Sequence, residues 1–124
     1  AAAGKELKIS FTPHLVPMTR GILISAYANL IKGHTTADIL EIYKSFYETE
    51  PFVNVTSTVP DSKNCSGSNL CQISVAVDAR TKRLSIFSTI DNLGKGMVGQ
   101  AIQNMNIMFG FEETAGLEMP GMWP

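Results

Sequence analysis

The stretch Asp91–Gly110, DNLGKGMVGQAIQNMNIMFG, leaves the chain few folds to choose from. It follows Leu84–Ile90, an apolar run of strand composition. It turns through Gly94, Gly96 and Gly99. Met97, Val98, Ala101, Ile102, Met105, Met108 and Phe109 then recur at three- and four-residue steps, the stripe of an amphipathic helix. Asp91 and Asn92 are good helix-capping types, and Gly110 suits the left-handed position after a helix end. Gly94-Lys95-Gly96-Met97-Val98-Gly99 is a literal G-x-G-x-x-G. A dinucleotide fingerprint also needs a second parallel strand, with an acidic residue about 20 residues on. Only Phe111–Pro124 follow Gly110, with Pro120, Gly121 and Pro124 among them. That is too short for a βαβ unit of about 30 residues. The glycines are therefore expected to permit close backbone packing at a helix entry. A contact to a cofactor held mainly by other residues stays open.

A chain of 124 residues suits one domain with one core. Hydrophobic residues make up 44% and charged residues 17%, which argues for a folded chain with some surface covered by a partner. A net charge of -1 gives no reason to expect nucleic acid as a partner. No apolar run approaches the roughly 20 residues that span a bilayer, so no membrane is expected either. There is no basic-then-apolar signal at the start. Cys65 and Cys71 are read as reduced thiols in a cytoplasmic protein, or a plastid one if the source is a plant.

In chain order, Leu7–Val16 has strand composition, but Pro13 lacks a ladder donor, which places it at a sheet edge or makes it leave the sheet near Pro13. Ile22–Leu30 is nearly continuous in apolar residues and reads as a buried strand. Thr35–Asp38 resembles a capping box and opens a helix whose apolar face is Ile39, Leu40, Ile42, Tyr43, Phe46 and Tyr47. Pro51 helps end that helix. Phe52–Val55 is a short strand and Val59–Asn69 a loop. Cys71–Asp78 and Leu84–Ile90 form a hairpin across a basic turn. A helix follows from about Lys95 to Phe109, and the tail Glu112–Pro124 is expected to lie along a surface. The order β-β-α-β-β-β-α indicates α+β: a mixed, largely antiparallel sheet with helices on one face.

Self-contained catalysis finds little support in these residues. His14 and His34 have no partners at metal-ligand spacing, so no metal is expected. Cys65 has only Lys63 nearby as an activator, and Cys71 reads as a small core residue. Asp91 reads as a cap rather than a base. His14 and Arg20 are different. A loop arginine beside a broken strand suits a carboxylate or phosphate contact. The alternative is an exposed arginine and a hydrogen-bonded structural histidine.

Four spaced motifs together resemble one family. Phe11–Gly21, FTPHLVPMTRG, is similar to the FTPHLxPMxRG segment of N-acetyl-gamma-glutamyl-phosphate reductases. Tyr47–Val53 is similar to their YExEPFV, and Gly67–Cys71 to their GSNxC. Asp91–Ala101 is similar to DNLxKGxxGQA. The matches keep family order from about Lys8 to Leu117. The resemblance implies reduction of an acyl phosphate to a semialdehyde with NADPH, in arginine biosynthesis. A cysteine thiolate and a histidine carry that chemistry, on a dinucleotide-binding domain joined to an α+β catalytic and dimerisation domain.

The family's glycine fingerprint, nucleophile segment and histidine segment all precede the matching region. Neither cysteine here falls in the nucleophile motif, and His14 does not match the histidine motif. The chain is therefore expected to be the C-terminal part of such a reductase, inactive alone. Residues 1–90 would belong to the catalytic and dimerisation domain, and 91–124 would return toward the dinucleotide-binding domain. The resemblance makes NADP the expected cofactor, with Asn92 at the nicotinamide amide and Gly96 allowing close approach. It places His14 and Arg20 in the substrate pocket. A homo-oligomer is expected, with apolar surface left at Phe109, Phe111 and Trp123. The competing reading is a non-enzymatic α+β module that binds a small ligand or dimerises through its sheet.

Overall fold

The computed structural model describes Gly4 and residues 6–122. Strand β1 is Ile22–Asn29, helix α1 Thr36–Phe46, strand β2 Val53–Val55, strand β3 Cys71–Asp78, strand β4 Arg83–Ile90 and helix α2 Gly99–Phe109. One turn of 3-10 helix covers Ser62–Cys65, and a π-helical turn covers Gly94–Val98. The four strands form one sheet in the order β1-β4-β3-β2. β1 and β3 flank β4 antiparallel, and β2 runs parallel to β3. The fold is thus α+β with a mixed, mostly antiparallel sheet. No helix among the described residues is long and apolar enough to cross a membrane.

Local chemistry builds α1 as its sequence suggests. The Thr35 hydroxyl accepts from the Asp38 N–H at 3.2 Å, and the Asp38 carboxylate accepts from the Thr35 N–H at 2.8 Å. Two free donors of the first turn are satisfied reciprocally. The helix lays Ile39, Leu40 and Tyr43 on Val75, Val77, Leu84 and Ile86. Those strand residues share a face because Val75 pairs with Ile86 and Val77 with Leu84. β2 pairs with β3 only at Cys71, Gln72 and Ile73. The Val77 N–H beyond it donates instead to the Thr36 hydroxyl at 3.0 Å, which ties the helix to the strand edge.

Three expectations need correction. Leu7–Val16 forms no strand: its residues are exposed and unpaired in the sheet. Strand composition alone cannot supply a ladder, and Pro13 removes one of its donors while Pro17 follows directly. β1 is a strand but is not buried, for all eight of its residues are exposed. It lies at the sheet edge, and α1 covers the opposite side of the sheet, from β2 to β4. The expected helix 95–109 begins as a π turn and becomes α-helical only at Gly99.

The chain does not cover its own surface. A compact monomer of this mass exposes about 6,500 Å². This chain exposes 9237 Å². The surplus includes Leu23, Ile24 and Tyr27 of β1, Ile9, Phe11 and Leu15 before it, Phe109 at the end of α2 and Phe111 beyond it. Trp123, expected among them, lies outside the described residues.

The core under α1 gives a direct check. Ile39→Ala should cost about 2–5 kcal/mol in urea unfolding, whereas Ile31→Ala, at a fully exposed position, should stay within about 0.5 kcal/mol. Equal costs would mean that α1 does not dock as described.

Candidate functional site

Sheet register decides what meets at the site. Ile90, the last residue of β4, pairs with both Ile22 and Cys71, the first residues of β1 and β3. Residues just before β1, just before β3 and just after β4 therefore emerge at one end of the sheet. Arg20–Gly21, Cys65–Leu70 and Asp91–Gly99 converge there.

Asp91 holds them together. Its side chain is 0% exposed. One carboxylate oxygen accepts from the N–H groups of Leu93 at 2.8 Å and Gly94 at 3.0 Å, which is the capping that its sequence position suggests. The other accepts a short hydrogen bond from the Gly67 N–H. The Arg20 Nε lies 3.0 Å and 2.8 Å from the two oxygens. Burial pushes the carboxyl pKa up, but the arginine and the three N–H groups outweigh it. Together they lower it from its ordinary 3.8 to about 2.

Asn92 follows directly. Its side-chain Oδ1 accepts from the Gly21 N–H at 2.7 Å. Gly21 has φ of +109°, a conformation that side chains rarely adopt, so a glycine fits here. Two of the three turn glycines are required by close approach. A Cβ at Gly94 would strike the Ser68 carbonyl, and one at Gly99 would strike the Asn69 side chain. Gly96 is exposed, and a Cβ there would sit 3.1 Å from the Asp91 carbonyl.

A second polar group lies beneath α2. The buried residues of that helix are Gly99, Gln103 and Asn106, not its apolar stripe. The Gln103 Oε1 accepts from Lys95 Nζ at 2.5 Å and from Asn69 Nδ2 at 3.2 Å, while its amide donates to Glu113 at 2.5 Å. Asn106 donates to the carbonyls of Glu113 and Ala115, pinning the tail. Met97, Val98, Met105, Met108 and Phe109 all face outward. The helix is amphipathic as its sequence indicates, but its polar side is the inner one. Burial lowers the Lys95 pKa, against the pull of Cys71, Glu113 and Glu50. As far as Met122 the tail lies along the surface, with Leu117 buried and the Met122 N–H donating to the Ser66 carbonyl at 2.7 Å.

The four residues singled out by sequence do not all meet. Arg20, Asn92 and Gly96 belong to one end of the sheet. His14 is exposed, and its Nδ1 lies 3.0 Å from the Thr12 carbonyl, in the unpaired segment. Arg20 lines a cavity of about 250 Å³ with Ser68, Asn69, Leu93, Val98 and Leu117. Cys65 is fully buried, its Sγ 3.4 Å from the Thr89 carbonyl, and burial pushes its thiol pKa up. That suits packing rather than nucleophilic attack. Cys71 is half-buried beside the Ser88 hydroxyl at 3.4 Å. Among the described residues no group of three or more metal-ligand side chains gathers.

Sequence reasoning missed the hub itself. Asp91 was legible as a cap, but its other partners lie 71 and 24 residues away. The inner face of α2 did leave a signal: Gly99, Gln103 and Asn106 are spaced at i, i+4 and i+7.

Acid should expose the hub. A carboxylate with a lowered folded pKa stabilises above its unfolded value and loses that contribution as pH falls through the folded one. Between about pH 4 and pH 2 the chain should lose about 2 kcal/mol through Asp91. Asp91→Asn should be less stable at neutral pH and lose less over that interval in urea titrations. A variant with the parent's full acid dependence would contradict this.

The comparisons agree with this architecture. The family model for the semialdehyde dehydrogenase dimerisation domain matches residues 1–92. An N-acetyl-gamma-glutamyl-phosphate reductase of Geobacter metallireducens is 52% identical over 98% of this chain and 36% of its own length. The same-named protein of Moorella thermoacetica is 48% identical over 100% of the chain and 36% of its own. The chain thus spans about a third of the length of these relatives. An aspartate semialdehyde dehydrogenase II from Vibrio cholerae, crystallised with ASA, shares the fold: TM-score 0.59 at 15% identity, over 77% of this chain and 29% of that one. The chain belongs to the semialdehyde dehydrogenase dimerisation-domain family.

Proposed function

We propose that this chain serves as the dimerisation-domain part of an NADPH-dependent N-acetyl-gamma-glutamyl-phosphate reductase. The observation that carries the proposal is the identity of about half its residues with reductases of that name, over nearly its whole length. Two structural features support it. The apolar stripe of α2 faces outward, where a dinucleotide-binding domain would cover it. The exposed faces of β1 offer a surface to a second copy, and the surplus surface exceeds the roughly 800 Å² that each partner buries in a standard interface.

The residues at the site fit a nicotinamide. Asn92 is half-buried, and its NH₂ group has no hydrogen-bond partner among the described residues. Gly96 nearby is exposed. When bound, NADPH would supply the hydride; Asn92 would hold the ring by its amide. Arg20, whose Nε is committed to Asp91, would shape the pocket wall more than grip the substrate. His14 would reach the substrate only if its segment is laid down by a neighbouring subunit or domain. The cysteine nucleophile and the histidine acid–base would come from the part of the relatives that this chain does not span. The division would fall near residue 90, before the turn that leads into α2.

Two measurements test the reading. The 124-residue chain should sediment as a self-associated species and should not oxidise NADPH with N-acetyl-gamma-glutamyl phosphate. The Geobacter metallireducens reductase with this sequence in place of its matching third should oxidise it. Turnover by the chain alone would overturn the division of labour. A folded but inactive hybrid would overturn the assignment.

A further inference from the structure

We infer that the Gly21 backbone N–H is a positioning group that fixes the polarity of Asn92: this amide meets its ligand as a hydrogen-bond donor only. The inference rests on the nicotinamide reading above and specifies it.

An asparagine side chain offers a carbonyl oxygen and an NH₂ group, and it can present either to a ligand by rotating half a turn. Here one end is taken. The atom 2.7 Å from the Gly21 nitrogen faces an N–H, which can only donate, so that atom must be the oxygen. Rotation would set two donors against each other. The remaining end, the NH₂, has no partner among the described residues and looks out from a half-buried position.

Both ends of the bond are held firmly. Asn92 is the residue after Asp91, whose carboxylate is fixed by Arg20 and by the Gly67, Leu93 and Gly94 N–H groups. Gly21 follows Arg20, the other half of that ion pair, and precedes Ile22, which is paired to Ile90. The ion pair and the amide bond therefore run side by side between the same two segments. Gly21 reaches its place with a φ of +109°, and a Cβ there would meet the Ser62 Cβ at 3.0 Å. The backbone is arranged so that one N–H points at one side chain.

A donor-only asparagine selects one feature of a carboxamide ligand: its carbonyl oxygen. It gives no recognition of the ligand's own NH₂. A ring carrying an acetyl group in place of the carboxamide keeps that oxygen and loses the NH₂. It should be held by Asn92 equally well.

The experiment has two arms. In the 124-residue chain, hydrogen exchange by NMR reads the bond itself. The Gly21 amide should be protected in the parent and in Asn92→Asp, which keeps an acceptor, and should exchange about tenfold faster or more in Asn92→Ala. Equal exchange in all three would overturn the positioning role. In the Geobacter hybrid, steady-state kinetics compare NADPH with its reduced 3-acetylpyridine analogue. Asn92→Asp should raise KM about tenfold for both cofactors, with kcat far less affected. If Asn92→Asp binds NADPH as the parent does while Asn92→Ala does not, the amide accepts rather than donates, and the inference falls alone. A penalty confined to NADPH overturns it equally. If Asn92→Ala leaves KM unchanged in an active hybrid, the nicotinamide contact itself is wrong.

Discussion

A carboxylate sealed from water and met by an arginine and three backbone N–H groups organises one end of this molecule. Asp91 would be expensive to bury alone. Its donors come from three segments that the sheet register has already brought together, so satisfying the charge also joins them. Removing a partner would leave a buried group unpaired, which costs more than the bond contributes. The arrangement puts the adjacent Asn92 beside Gly21. It also sets Gly94 against Ser68 and Gly99 against Asn69, so the glycines of the turn serve contact with the chain itself. A phosphate cradle would need those N–H groups free. Here the Gly94 N–H is spent on Asp91 and the Gly96 N–H on the Asp91 carbonyl at 2.8 Å.

Away from that end the chain is organised toward something else. In an isolated domain an amphipathic helix buries its apolar stripe. α2 buries glutamine, asparagine and glycine and turns its methionines outward. The inner polar groups are matched to one another and to the tail, apart from Asn69 Oδ1, which is buried without a partner among the described residues. β1 is apolar and exposed on both faces. These features have one physical reading, surfaces built to be covered, and membership of a dimerisation-domain family gives it a place.

What was legible in the sequence was local. The Thr35–Asp38 box, the hairpin from Cys71 to Ile90 and the glycine after α2 all follow from chemistry close in sequence. What was not legible depends on distant partners. Leu7–Val16 has the residues of a strand and nothing to pair with. The apolar continuity of β1 reads as a buried strand, but the described residues leave all eight of its positions exposed. The stripe of α2 was read correctly from periodicity, which reports a face without saying what lies opposite; its outward direction follows from the resemblance, which expects Met97, Ala101 and Met105 to face a partner. Asp91 looked like a cap because capping is the part of its work done by its neighbours.

Hydrogen exchange of the backbone amides tests this account most directly. In Asp91→Ala, the amides of Gly67, Leu93 and Gly94 should lose protection together, and that of Gly21 should follow as the Asn92 contact loosens. The Ser74 and Ile86 amides inside the sheet should keep theirs, showing that the fold survives. If the Gly67, Leu93 and Gly94 amides stay as protected as in the parent, Asp91 is not the group that joins the three segments.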